Sequence, residues 1–280
     1  MSKNTIKTYV LLAGLGGFLI VIGQFLGGNS GAFLGMFLGL AICGGSYWFS
    51  DKLAIRAARA VPVTEAEMPE YYQIVRDLSQ RMDIPMPKLY MTPDLQPNAF
   101  ATGRNPQHAA VAVTQGILDV CDWDELRGVL AHELSHVGNR DILIGSVAAA
   151  IATGIMFVTR FALFFGGGDD EDSPSPIVAI GLMILAPVAG MLIQMAITRS
   201  REYEADRTGA RLIGDGEPLA RALLKLETAA ARVPMDVQPA QASLFIINPL
   251  TGRKVRAKNW FRTHPPTEDR VARLRSGDWA

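Results

Sequence analysis

Hydrophobic and polar positions divide this chain into alternating blocks. Thr8–Ser50 contains no Lys, Arg, Asp or Glu, and the Gly-rich turn Gly27–Gly31 splits it into two apolar runs. Each run approaches the ~20 residues needed to cross a bilayer. Gly35 and Gly39 in the second run suit close helix–helix contact in lipid. Two further apolar runs, Ile142–Phe165 and Ile177–Thr198, flank a loop with Asp169, Asp170, Glu171 and Asp172. Lys3, Lys7, Lys52, Arg56, Arg59, Arg199 and Arg201 border the runs on one side, and Phe161–Thr198 holds no Lys or Arg. By the positive-inside pattern, this predicts four transmembrane helices with both termini and the polar blocks cytoplasmic. The expected organisation is a first transmembrane hairpin (1–50), a polar block (51–141), a second hairpin (142–198) and a second polar block (199–280).

The polar blocks show shorter periodicities. Thr64 and Glu67 form a capping-box pair opening a helix to about Met82, with Tyr71, Val75, Leu78 and Met82 as its buried stripe. β-like pieces follow at Lys88–Met91, Asn98–Thr102 and Ala109–Thr114, with Gly103–Pro106 as a turn. Asp122 and Glu125 cap the next helix, whose stripe is Leu126, Val129, Leu130 and Val137. In the second polar block, one helix runs to about Leu212. Another starts near Pro218, and a last short one, opened by His264–Thr267, carries Arg270 and Leu274. Gln238–Asn259 reads as irregular or β-like.

Composition narrows the function classes. The chain has 280 residues, 49% hydrophobic and 19% charged, with a formal net charge of +0, and no basic stripe with interleaved aromatics suggests a nucleic-acid partner. Two cysteines, Cys43 and Cys121, make neither a disulfide framework nor a thiolate metal site. Only Arg160 is charged within the apolar runs, which disfavours a transport pathway.

The chemistry concentrates in His132-Glu133-Leu134-Ser135-His136. On a helix, positions i and i+4 share a face, so both imidazoles can reach one metal ion, and Glu133 can take the proton of an attacking water. A metzincin would carry Gly and His where this chain has Asn139 and Ile142. Asp124, Glu125, Arg127, Asn139, Arg140 and Asp141 crowd the motif too closely for a lipid-buried site. Catalytic zinc takes three protein ligands and keeps a fourth position open. Arg201–Asp206 offers the missing ligand: Glu202 and Asp206 share a helix face, and Glu204 points away. One acid would bind metal and the other orient a histidine; spacing leaves open which does which.

Several motifs together resemble the HtpX family of bacterial, heat-shock-linked membrane zinc proteases, and more distantly the CAAX prenyl proteases. They are Asn98–Gly103, His132–His136 followed by Asp141, Glu202–Asp206 and His264-Pro265-Pro266. The resemblance implies one Zn2+ per subunit held by His132, His136 and Glu202, with Glu133 as general base and Asp206 supporting a ligand. Asn98, Ala99 and Phe100 would form an edge strand beside the cleft, where a peptide adds as an extra strand. Two roles are open to His264, support of the tetrahedral oxyanion or a structural helix start. The implied fold is mainly α, four transmembrane helices plus a cytoplasmic α+β gluzincin-type metalloprotease domain with a small β-sheet. The implied function is a zinc metalloendopeptidase of the bacterial inner membrane, cleaving misfolded or unassembled membrane proteins and unfolded polypeptides in stress-linked quality control, with the lipid bilayer as a partner. The alternative is a zinc-binding membrane holdase or assembly factor without essential proteolysis.

Overall fold

The computed structural model describes residues 3–142, 199–232, 246 and 265–280. Helix α1 (Lys3–Ala57) runs for 55 residues. At the expected turn Gly28 takes a left-handed φ of 58°, yet the element continues as helix, so one helix stands where a hairpin was expected. Among the described residues no helix is long and apolar enough to cross a membrane. That finding overturns the four-transmembrane-helix fold. It also overturns the membrane-endopeptidase function, the lipid-bilayer and membrane-protein partners, and the inner-membrane location with cytoplasmic termini. The physical reason is that freedom from charge is not the same as apolar length. The described positions of α1 include Gly16, Gly17, Gln24, Gly28, Asn29 and Ser30, and glycines and polar side chains add no apolar surface. The other described helices have at most 16 residues, about 24 Å at 1.5 Å per residue against a hydrocarbon core of about 30 Å. The acidic loop, Arg160, and the third and fourth apolar runs beyond Ile142 lie outside the described residues.

Among the described residues the sheet has four strands, β1 (Val61–Pro62), β2 (Lys88–Thr92), β3 (Ala99–Gly103) and β4 (Ala109–Thr114), in the order β1-β2-β4-β3. The three expected β pieces are β2, β3 and β4; the two-residue β1 was too short to show a period. β2 runs parallel to β4 with Leu89 opposite Val111, and β3 runs antiparallel to β4 with Ala101 opposite Val111. All six residues of β4 are buried, as a strand covered on both faces requires. β3 is an edge. The Asn98–Thr114 pair is hydrogen-bonded, with Thr114 N–H donating to Asn98 O at 3.0 Å. By the two-residue alternation of an antiparallel ladder, the Ala101 N–H therefore points away from β4.

Helices pack around this sheet. α2 (Pro69–Arg81) starts later than expected, because Pro69 sets the first helical turn. The Thr64–Glu67 contact does form, Thr64 N–H donating to Glu67 Oε2 at 2.7 Å, but in the turn before the helix. Tyr71, Val75 and Leu78 are fully buried, and Tyr71 Oη donates to Val111 O at 3.2 Å, fastening α2 to β4. α3 (Gln115–Val120), unanticipated because no turn residue separates it from β4, is capped by Thr114 Oγ1, which accepts from Ile117 N–H at 3.1 Å. α4 (Trp123–Gly138) opens on the expected capping box: Asp122 Oδ1 accepts from Glu125 N–H at 2.9 Å, and Glu125 Oε2 from Asp122 N–H at 3.0 Å.

The second polar block supplies α5 (Arg199–Ile213), α6 (Glu217–Arg232) and α7 (Thr267–Ser276). Leu126, Val129, Leu130 and Val137 of α4 and Leu219, Ala222, Leu223 and Leu226 of α6 are buried in one core. Each buried leucine there contributes about 2 kcal/mol. A Cβ on Gly128 would meet Leu219 N at 2.5 Å, so α6 crosses α4 at backbone contact.

Candidate metal centre

α4 carries His132 and His136 one turn apart, and α5 crosses it with Glu202 and Asp206 one turn apart. Gly209 makes that crossing close: a Cβ there would meet His132 N at 2.9 Å and Ala131 C at 3.1 Å. The approach brings three donor atoms together. His132 Nε2 lies 3.3 Å from His136 Nε2 and 3.6 Å from Glu202 Oε2, and His136 Nε2 lies 3.7 Å from Glu202 Oε1. His132, His136 and Glu202 each offer a ligand atom within 4.8 Å of the others, so the cluster can chelate a metal ion.

Asp206 takes the other side of His132, its Oδ1 standing 2.8 Å from Nδ1. The two acids that spacing left interchangeable thus face different nitrogens of one ring. Asp141 faces His136 Nδ1 at 3.4 Å. Glu204 is exposed, as expected. Burial disfavours a charged His132, but hydrogen bonds from the ring to Asp206 and Glu202 outweigh it and bring its pKa to about 9. Burial raises the Glu133 carboxyl above the usual range, opposed by the two histidines and by the Ala101 N–H. Ala101 N–H donates to Glu133 Oε2 at 3.0 Å, so the outward donor of the edge strand holds the motif glutamate.

The remaining candidates separate. Asn98, Ala99 and Phe100 are buried, and Asn98 Oδ1 accepts from Ile246 N–H at 3.0 Å. His264 lies outside the described residues. His108 bonds Asn105 Oδ1 at 2.9 Å at the surface.

Arg270 is the residue sequence reasoning passed over. It is 1% exposed and donates to both Asp206 oxygens, Nε at 2.8 Å and Nη2 at 2.7 Å. Its place one turn before buried Leu274 was the available signal, since a charge on the apolar face of a helix requires a buried partner. Burial opposes its charge, but Asp206 outweighs burial and keeps the guanidinium firmly protonated.

An H-E-x-x-H helix crossed by a helix that brings one glutamate to the two histidines, beside a small mixed sheet, defines a metallopeptidase active site. The family model described as Peptidase family M48 matches residues 65–278. A "Protease HtpX homolog" of Pelotomaculum thermopropionicum is 50% identical over 277 residues, covering 97% of this chain and 98% of the relative. Another, of Ralstonia pickettii, is 49% identical over 275 residues, covering 97% and 96%. The chain belongs to peptidase family M48, among its HtpX-type members. It also resembles the crystal structure of S. mikatae Ste24p, with a TM-score of 0.54 at 19% identity over 96% of this chain. That likeness is one of fold, and the chain spans 65% of the Ste24p chain.

Proposed function

We propose that this chain is a zinc-dependent endopeptidase in which His132, His136 and Glu202 hold the metal and Glu133 is the general base. The observation that carries the reading is the spacing of the three donor atoms, 3.3, 3.6 and 3.7 Å. A tetrahedral site with bonds near 2.0–2.1 Å has ligand–ligand edges of about 3.3 Å. Two imidazoles, one carboxylate and no thiolate make a catalytic donor set, with one position left for water or substrate.

Zinc bound there supplies a Lewis acid that polarises the scissile carbonyl and acidifies water. The chain's own residues do the rest. Ala101 N–H holds Glu133 Oε2, which leaves Oε1 to take the proton of the attacking water and pass it to the leaving amine nitrogen. The water oxygen adds to the carbonyl carbon first; the C–N bond then breaks as the nitrogen takes that proton, giving an amine and a carboxylic acid, which releases its remaining proton to solvent. Asp206 fixes the His132 ring, and Asp141 does the same for His136. β3 runs beside Glu133, so an extended peptide aligned on that strand brings its carbonyl to the base. Ala101, the middle residue of β3, is half-buried while its neighbours in the strand are buried, so the strand meets the peptide at Ala101, and Asn98 serves to hold the strand.

The test compares wild type with Glu133→Gln for bound zinc and for cleavage of a denatured polypeptide. The variant should keep stoichiometric zinc and lose roughly 10²–10⁴-fold in cleavage rate. Undiminished cleavage would sink the mechanism.

A further inference from the structure

We propose that Arg270 is a positioning residue of the metal centre. It fixes the Asp206 carboxylate, and through it sets the ring of His132 so that Nε2 faces His136 and Glu202. The inference rests on the zinc-centre reading above.

Arg270 divides its guanidinium between two segments, α5 and the peptide at Ile246. Nε and Nη2 form a two-pronged pair with Asp206 on α5, at 2.8 and 2.7 Å. Nη1 donates to Ile246 O at 3.1 Å. The same peptide segment is held on its other side, where Ile246 N–H donates to Asn98 Oδ1 at 3.0 Å. One hydrogen-bonded chain therefore joins Asn98 beside β3, Ile246, Arg270 on α7, Asp206 on α5 and His132 on α4. Every side chain in it is buried, where such bonds are strong and a missing partner is costly.

The distances decide which nitrogen of His132 is left for metal. Arg270 Nη2 stands 3.4 Å from Nδ1, and a guanidinium can only donate. Asp206 Oδ1 stands nearer, 2.8 Å from Nδ1, and an ionised carboxylate can only accept. The shorter contact prevails, so Nδ1 carries the hydrogen and Nε2 keeps its lone pair. Asp206 accepts from Arg270 at both oxygens, so it meets Nδ1 as an acceptor. Both Asp206 oxygens are pinned by the fork, so the carboxylate cannot rotate away from the ring. A lysine keeps the charge but offers a point donor in place of the planar fork.

The experiment measures zinc affinity by chelator competition and the visible spectrum of the Co2+-substituted protein for wild type, Arg270→Lys, Asp206→Asn and the double variant. Urea midpoints of the metal-free proteins are read alongside. Arg270→Lys should fold, bind zinc about 10- to 100-fold more weakly and shift the Co2+ absorption. The double variant should bind no more than about twofold more weakly than Asp206→Asn alone, because both substitutions cut one path. Unchanged affinity in folded Arg270→Lys, or additive losses in the double variant, overturns the proposal. If Arg270→Lys does not fold, Arg270→Gln, which keeps one donor to Asp206, takes its place. Failure of both to fold assigns Arg270 to the core and also overturns the proposal. A wild-type chain that binds no zinc overturns instead the metal-centre reading on which the proposal stands.

Discussion

Burial raises the pKa of two acids on or next to the motif helix, with opposite consequences for reactivity. For Glu133, the proposed general base, a raised carboxyl pKa suits a group that takes a proton and gives it back. Cys121, next to the capping residue of α4, is buried, and burial followed by the nearby charge of Glu125 raises its thiol to about 12. The sign is that of an acid made weaker: at pH 8 about one thiol in 10⁴ is ionised. Cys121 should therefore resist iodoacetamide in the native protein and react at the rate of an ordinary thiol once urea unfolds the chain. Peptide mass mapping with and without denaturant checks this. Rapid native labelling at pH 8 would contradict both the burial and the raised pKa.

Among the elements, the α4–α5 crossing sets the centre, and Gly209 sets the crossing. Replacing an exposed helical glycine with alanine gains up to about 1 kcal/mol. Here the added methyl would meet main-chain atoms of Ala131 and His132 at 2.9–3.2 Å, and backbone gives way less readily than a flexible side chain. Overpacking costs about 1–3 kcal/mol, so the net sign is destabilising. Gly209→Ala should lower the urea midpoint and weaken zinc binding together, because Glu202 and Asp206 ride on the displaced helix. A stabilised variant with full zinc affinity would show that the helices do not meet there.

These elements also mark how far the sequence could be read. The i, i+4 histidines, the Asp122–Glu125 box and the Glu202/Asp206 face are local patterns, and each survives in the fold. Asp206 and Arg270 meet across 64 positions, and Ile246 meets Asn98 across 148; no local period encodes such pairings. The division of labour between Glu202 and Asp206 likewise needed the crossing of two helices. The four-span reading failed for a different reason, because a charge-free, glycine-rich stretch was equated with a membrane-spanning one.

For the whole molecule, the metal site joins two blocks of chain that the apolar runs at 142–198 separate in sequence. α4 belongs to the first block, and α5, α6 and α7 to the second. Their shared core includes leucines from both, so the blocks associate without metal. The centre adds to that association: it is assembled from both blocks only in the folded chain. A ligand that binds only the native state stabilises it by about 2.7 kcal/mol at a free concentration of 100 times its dissociation constant. For a domain of this size that corresponds to roughly 5–10 °C in Tm. EDTA treatment should therefore lower the Tm by that amount, and added zinc should restore it. Glu202→Ala removes the only metal ligand of this set contributed by the second block, so its Tm should match the metal-free wild type and show no response to EDTA or zinc. An EDTA shift of equal size in Glu202→Ala would place the stabilising metal elsewhere, and the two blocks would then be joined by packing alone.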